Sequence, residues 1–598
     1  MSTEPITALP LGANVLDERT VELRVWAPKA DALAVEIGPG RELHALSAEG
    51  HGYWSARVGA RAGDDYVLVL DGDRRVPDPA SRHQPLGVHG PSRVVDASEF
   101  HWSDASFRGH PLREAVLYEL HVGTFTAEGT FDAAIARLDE LARVGVTTVE
   151  LMPVASFPGP RNWGYDGVGL FAVHDAYGGP AGMRRFVDAA HARGLGVCLD
   201  VVYNHFGPEG CYWDALAPYT TDRYVTPWGR AMNFDGPGSD GVRAFVLQNV
   251  RAWLCEMHVD ALRLDAVQTM HDQTARHVLG EIGQAVRDAG RELGKDTWVV
   301  AESNQNDPRL TRDVRAGGLG MDGQWSDDLH HAVHAAHLGA RGGTFVDFGR
   351  HAQIAKALRD GFVLDGVYSE YRQRRHGAAA PDLAPARLVT FVENHDQIAN
   401  GRGGARVSSL ASPDLDRALL ALLLLGPNVP LLFMGQERGE RGPFHYFTSH
   451  GDAALTRAVR EGRAREHAAY GGSMPDPDAA ATFAMCKPAP ADDADARRRE
   501  LVRALTTLRR EMGGAALERV EVVAGDDWLS FSRGHHVVAV NLGDRDASVP
   551  VTGTAWARVL STAEARFGGP GEDAPDLYGE TTIRVAARRA VVLSPTER

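Results

Sequence analysis

The residues best suited to chemistry lie in four short stretches, each an apolar run that ends in charge. Val259 to Val267 reads V-D-A-L-R-L-D-A-V and places Asp265 two residues after Arg263. On an extended strand, residues two apart point to one side, so a guanidinium there sits beside a carboxylate and keeps it ionised. That is the state a carboxylate nucleophile needs. A second run, D-V-V-Y-N-H, carries Asp200, Asn204 and His205; a third, V-A-E-S, carries Glu302; a fourth, F-V-E-N-H-D, carries Asn394, His395 and Asp396. Taken singly, each reads equally well as a structural ion pair, a helix N-cap or a satisfied core polar group. Taken together, carboxylates, two histidines and an arginine at four strand ends point to a functional site.

A carboxylate that attacks, a carboxyl that donates a proton and a third that grips substrate make a glycosidase constellation. Asp265 would attack an anomeric carbon with Arg263 beside it. Glu302 would protonate the departing oxygen and later deprotonate water, while Asp396 and His395 would hold sugar hydroxyls. For Glu302 to donate near neutral pH, burial or a neighbouring carboxylate must raise its pKa. Tyr165, in N-W-G-Y-D-G-V, offers an aromatic face to the positive charge that develops on the sugar.

Such groups converge only if parallel strands align their ends. Between Ala115 and Glu437 the texture alternates strand and helix, with strands expected at Val116 to Val122, Thr147 to Met152, Gly196 to Val202, Val259 to Leu264, Thr297 to Ala301, near Gln324, Leu388 to Val392 and Pro430 to Met434. Several are near-continuous apolar runs, as strands covered on both faces should be. Helical spacing falls between them at Phe131 to Val144, Met183 to Arg193, Val242 to Met257 and Ala275 to Leu293. Eight strands with intervening helices predict an α/β fold, a TIM (β/α)8 barrel, whose chemistry belongs at the C-terminal strand ends. The charged residues above fall there.

Short alternating strands from Val21 to Val95 predict an N-terminal β-sandwich in which Trp26 and Trp54 are better placed as core anchors than as a sugar face. Asp452 to Tyr470 reads as a charged helical insertion, Met474 to Asp495 as a loop or linker, and Arg499 to Arg510 as the last helix of the barrel. Strand patterns at Trp528 to Phe531, His536 to Leu542 and Thr581 to Leu593 predict a small all-β domain at the end. The expected division is 1–110, 111–512 and 513–598.

At 598 residues the chain exceeds one core, and a formal charge of -16 argues against nucleic acid or an acidic membrane surface as partner. Cys198, Cys211, Cys255 and Cys486 lack C-x-x-C spacing, so free thiols in a reducing compartment are expected. The start, M-S-T-E-P-I-T-A-L-P, lacks the regions of a signal peptide, and the longest apolar run, Ala418 to Leu425, suits a core helix rather than a membrane span. The chain is expected to be a cytoplasmic monomer. Two motifs compete for attention. His330, His331, His334 and His337 have zinc-like spacing, but without H-E-x-x-H, and the preceding Asp327 and Asp328 suit a loop at the barrel mouth equally well. Gly236, Gly238 and Gly241 spell G-x-G-x-x-G around Pro237 with no strand before them, which argues against a dinucleotide site.

Asp200 to His205, Ala261 to Val267, Val300 to Ser303 and Phe391 to Asp396 resemble, in order and spacing, the four sequence regions of the α-amylase superfamily of retaining glycoside hydrolases. Y-E-L-H-V-G-T-F (Tyr118 to Phe125), R-N-W-G-Y-D-G-V (Arg161 to Val168) and Q-W-S-D-D-L-H-H (Gln324 to His331) are most similar to members acting on maltooligosyltrehalose. The resemblance implies hydrolysis of the α-1,4 bond next to a terminal trehalose unit, with Asp265, Glu302 and Asp396 catalytic. Substrate binding would fall to Arg263, His205, His395, Tyr165, Asp200, Asn204, Gln268, Asp327 and Asp328. It implies no cofactor and no obligatory metal, although Asn204 matches a calcium position of some relatives. The N-terminal domain resembles the carbohydrate-binding-like module of branching and debranching relatives. Ala261, Gln268, Glu393 and Ser449 depart from the family pattern; Gln268 and Glu393 bear on substrate contacts rather than chemistry. The competing expectations are a branching or debranching enzyme with the same carboxylates and a binding protein that has lost catalysis, which the intact Asp265, Glu302 and Asp396 argue against.

Overall fold

The computed structural model describes residues 10–468, 474–489, 492–551, 555–571, 577–578 and 582–596. The first nine residues, Tyr470, residues 490 and 491 of the Met474 to Asp495 passage, and Thr581, all used above, lie outside the described residues.

Eight parallel strands close into a barrel: Leu117–Leu120, Thr148–Leu151, Gly196–Val201, Ala261–Leu264, Trp298–Ala301, Gly323–Ser326, Leu388–Thr390 and Val429–Phe433, here strands 1 to 8 in chain order. Each overlaps its expected segment. Strand 3 is buried at all six positions, as a run covered by helices outside and side chains inside must be. Helices alternate with the strands at Gly179–His191, Ser239–Arg251 and Val278–Leu293, among others. The expected helix Phe131 to Val144 is two, Phe131–Ile135 and Leu138–Arg143, separated by a tight turn at Ala136 and Arg137. The helix Ser239–Arg251 widens into a π-turn over Ala252–Glu256 before the chain reverses at His258, whose φ is 53°.

Before the barrel, two antiparallel sheets face each other. One is ordered Gly12–Asp17, Thr20–Trp26, Tyr53–Gly59, Ser47–Gly50; the other runs Glu42–Ala45, Leu33–Ile37, Asp65–Leu70, Arg74–Val76, with Ser92–Arg93 beside Asp65–Leu70. Val21, Leu23, Val25, Val35, Leu68 and Leu70 fill the space between them. Trp26 is buried, edge-on to Tyr219 with ring centroids 5.3 Å apart. A Cβ placed on Gly241 would come within 2.0 Å of the Trp26 ring. The G-x-G-x-x-G run therefore leads into a helix whose backbone approaches the sandwich closely.

After the barrel, a six-stranded antiparallel sheet includes Trp528–Arg533, His536–Asn541 and Arg589–Pro595. The closing pattern read as one segment is two strands, since Thr582–Val585 pairs with Ala547–Pro550 in a separate two-stranded sheet. The Met474 to Asp495 passage contains a short helix, Ala480–Met485, and Asp492 caps the long helix Asp493–Glu511. The helix Pro413–Leu425 joins barrel to C-terminal sheet. Ser412 accepts from the Leu415 N–H at its start, and every residue from Leu415 to Leu425 is buried, as a helix packed on both sides requires. Its far end is closed by two buried arginines. Arg509 donates to the carbonyls of Leu424 (3.0 Å), Gly426 (3.0 Å) and Asn428 (2.6 Å), and Arg533 to those of Leu425 (3.1 Å) and Gly426 (2.6 Å). Among the described residues neither has a carboxylate partner; backbone carbonyls carry the contact, those at and just past the helix terminus and, for Arg533, that of Gly514 as well.

The four cysteines are free, with Cys198 and Cys486 buried. No described helix is long and apolar enough to cross a membrane.

Candidate active site

Strand 4 delivers Arg263 and Asp265 to one side, and Arg263 is the hub. Its Nη1 donates to Asp200 Oδ2 at 2.6 Å and to Asp265 Oδ1 at 3.0 Å; its Nη2 lies 3.9 Å from Glu302 Oε2. The guanidinium also sits 4.3 Å from the centre of the Trp325 ring, from strand 6. Strand ends 3, 4 and 5 thus meet at one cation. Only 3 % of its side-chain surface is exposed, so the charges face each other with little solvent between them.

Asp265 is held from both sides. Besides Arg263, Asn204 Nδ2 donates to Asp265 Oδ2 at 2.7 Å and to its backbone carbonyl at 2.8 Å. Asn204 Oδ1 meets His205 Nδ1, which leaves Asn204 fully engaged and buried. Asn204, expected among the substrate-binding residues, is here spent on orienting Asp265. Glu302 Oε2 accepts the N–H of Ala266 at 2.6 Å, with Ala266 in the left-handed region at φ 42°. A residue with a Cβ at that angle is strained, and here it aims its amide at the carboxyl of the next strand.

The electrostatics separate the acids. Burial pushes Glu302 up to about 8; Arg263 opposes this, and Asp265, Asp327 and Asp396 add to it. Burial, reinforced by Asp396 and Asp328, pushes Asp327 up to about 7, and burial pushes Asp200 up to about 6 against the pull of Arg263. Of Asp200, Asp327 and Glu302, Glu302 is pushed up furthest and is the one disposed to hold a proton at neutral pH.

Strand 7 ends in the helix His395–Ala399, capped by Asn394, whose Oδ1 accepts from the Gln397 N–H at 2.7 Å. Asp396 is exposed at the mouth and accepts from Asn400 Nδ2 at 2.6 Å. His395 is buried between Glu119 and Tyr165. Glu119, on strand 1, takes the His395 backbone N–H at 3.0 Å and contacts Nδ1 with its other oxygen. Tyr165 donates its O–H to Asp200 Oδ2 at 2.6 Å, so its oxygen accepts from His395 Nε2, 2.9 Å away. Both ring nitrogens donate, which makes His395 an imidazolium. Burial works against that charge, yet the Glu119 carboxylate holds the His395 pKa above its ordinary value.

A chain of contacts runs Glu119, His395, Tyr165, Asp200, Arg263, Asp265. Sequence reasoning missed Glu119 and Trp325, although both end strands in the stretches Tyr118 to Phe125 and Gln324 to His331. It also missed Trp228, half-exposed beside the hairpin strand Thr220–Thr226, whose ring stacks on His205 at 5.1 Å.

Several expected residues lie elsewhere. Asp328 is buried and its Oδ2 accepts from Asn306 Nδ2 (2.9 Å) and from the amides of Val363 (2.6 Å) and Leu364 (3.1 Å), so it ties a loop instead of lining the mouth. Glu393 turns away to accept the Val407 N–H at 2.7 Å beside Arg406, which removes it from substrate contact. Ser449 stitches two loops through the backbone of Arg161. Gln268, in the turn Val267–Thr269 after strand 4, keeps its Oε1 without a protein partner among the described residues. The histidine run forms helix Asp328–His337, with His330 Nδ1 and His334 Nε2 both on the Val392 carbonyl, at 2.7 and 2.9 Å. Those two are spent on the backbone.

Residues 95–225 match the family described as "Alpha amylase, catalytic domain". A malto-oligosyltrehalose trehalohydrolase from Saccharolobus solfataricus is 42% identical over 526 residues, covering 88% of this chain and 91% of that protein. One from Rhizobium sp. (strain M-11) is 45% identical over 575 residues, covering 92% and 96%. Among solved structures, a putative alpha amylase from Salmonella typhimurium superposes with a TM-score of 0.87 at 35% identity, covering 98% of this chain and 99% of that one.

Proposed function

The chain belongs to the malto-oligosyltrehalose trehalohydrolase family, and on that premise we propose that it hydrolyses the α-1,4-glucosidic bond next to the terminal trehalose unit of maltooligosyltrehalose, with retention. The observation that carries the chemistry is the pair of carboxyls around Arg263: Asp265, gripped by Arg263 and Asn204, and Glu302, pushed up to about 8.

Asp265 attacks the anomeric carbon on the donor side of the scissile bond as Glu302 passes its proton to the glycosidic oxygen. Trehalose departs with that proton, and the maltooligosyl chain stays joined to Asp265 through an ester. Glu302, now a carboxylate, takes a proton from water, whose oxygen displaces Asp265 from the same face that trehalose left. In this reading the Tyr165 ring offers the oxocarbenium-like sugar an aromatic face, Asp396, exposed at the mouth, is a hydroxyl partner, and His395 holds Tyr165 in place. Asp327, pushed up to about 7, is a further hydroxyl partner, and the free Oε1 of Gln268 is a partner for the trehalose side. Trp228, stacked on His205, offers a face for a neighbouring glucose.

The proposal keeps the division 1–110, 111–512 and 513–598, supported by the helix end at Glu511 and the first C-terminal strand at Val522. It also keeps a cytoplasmic monomer; four free thiols support a reducing compartment.

Trehalose-capped maltopentaose against plain maltopentaose tests the reading. The capped sugar should be cleaved much faster, giving free trehalose and a new α-anomer by proton NMR. Equal rates, branched products or a β-anomer would refute it.

A further inference from the structure

Among the described residues, His337 is the member of the 330–337 histidine run that falls in a cluster of possible ligands reaching the C-terminal sheet. His337 closes the helix Asp328–His337, and its Nε2 lies 2.9 Å from Nδ1 of His351, the first residue of the helix His351–Asp360. Asp527 lies in the turn between strands Val522–Ala524 and Trp528–Arg533, where the Gly525 N–H meets the Trp528 carbonyl at 2.9 Å. One ligand atom from each of His337, His351 and Asp527 falls within 4.8 Å of the others. We propose that these three side chains bind a divalent first-row transition ion, of the zinc, nickel or cobalt class, which pins the C-terminal sheet to the barrel.

The donor set fits that class. Two imidazoles and one carboxylate suit borderline ions, whereas calcium and magnesium require oxygen donors. Two nitrogens 2.9 Å apart, each about 2.1 Å from a metal, subtend an angle of about 90°, that of neighbouring ligands in a six-coordinate shell. In the metal-free chain one proton bridges the two rings. Binding moves it to the far nitrogen of its own ring, so only a tautomer changes. Asp544 adds negative charge near His337 and Asp526 near His351, which favours a cation over a third proton donor. Asp527 is exposed and free to swing toward the ion, and solvent completes the shell.

The site is separate from the catalytic carboxyls. Asp327, whose charge acts on Glu302, precedes the helix, and ten further residues put His337 roughly 15 Å along the axis from it. The ion is therefore a structural cross-link, and its loss leaves turnover unchanged while loosening the C-terminal sheet.

The test is calorimetric titration of the untagged, chelator-stripped full chain with zinc chloride and nickel chloride, with melting recorded in parallel. One saturable equivalent and a raised melting temperature are expected. Asp527→Asn, at an exposed turn, and His337→Gln should each weaken binding by about tenfold or more and shrink the melting shift, with activity unchanged. Absence of one-equivalent binding, or equal affinity in both variants and the parent chain, would overturn the proposal.

Discussion

Asp265 and Glu302 divide the work by environment, and that division can be measured. Asp265→Asn and Glu302→Gln should each cut kcat by about four orders of magnitude or more with circular dichroism unchanged, because groups acting as a unit do not replace one another. Glu302 must hold its proton to act as acid, so kcat/KM should hold up to about pH 8 and fall above it. The same shift acts on stability. Between the ordinary value of 4.5 and about 8, the folded chain keeps a proton that the unfolded chain has released, so stability falls as pH rises through that window. In Glu302→Gln the fall should be shallower, read as melting temperature against pH. Glu119→Gln removes the charge that holds His395 doubly protonated; kcat should drop by up to about a hundredfold with a smaller change in KM. Unchanged kcat would show that His395 is placed without it. Arg263 and Asp265 were legible because a strand has period two. Glu119 was not, since its meaning depends on which side chain it meets across the barrel. Glu393 misled for a related reason: beside His395 in sequence, it points the other way, to Val407.

At the scale of elements, most barrel strands could be read from apolar runs because burial on both faces favours such a composition, whereas the sixth, Gly323–Ser326, reads G-Q-W-S and could be placed only near Gln324. Helix ends were harder. The break at Ala136 and the π-turn at Ala252–Glu256 answer to packing and to the reversal at His258, neither of which shows in a local pattern. A close approach at the junction between sandwich and barrel sets Gly241 against Trp26. Gly241→Ala should cost about 1–3 kcal/mol in denaturant unfolding, and more than the same change at Gly462, which has nothing within 4 Å. Equal effects would mean that the helix shifts freely and that the contact does not set the docking. Arg82 adds a polar tie at the same junction, donating to Glu256 at 2.8 Å and to the Leu11 carbonyl at 2.7 Å.

For the whole molecule, the helix Pro413–Leu425 is shared property, buried by the barrel on one side and the C-terminal sheet on the other. Its closing arginines come from both sides of the domain division, Arg509 from the last barrel helix and Arg533 from the sheet. Arg533→Met should keep the stem packed while leaving the Gly426 carbonyl with one donor fewer, costing about 1–3 kcal/mol in thermal or denaturant unfolding. An unchanged melting temperature would show that Arg509 alone suffices. The arrangement also has a bearing on synthesis. A ribosome delivers residue 425 more than a hundred residues before residue 533, so the last turn of this helix must wait, its carbonyls turned to water, until the sheet emerges. The barrel is thus finished from outside itself. A nascent chain stalled short of Arg533 should be cut by protease near Gly426 at sites that the completed protein protects.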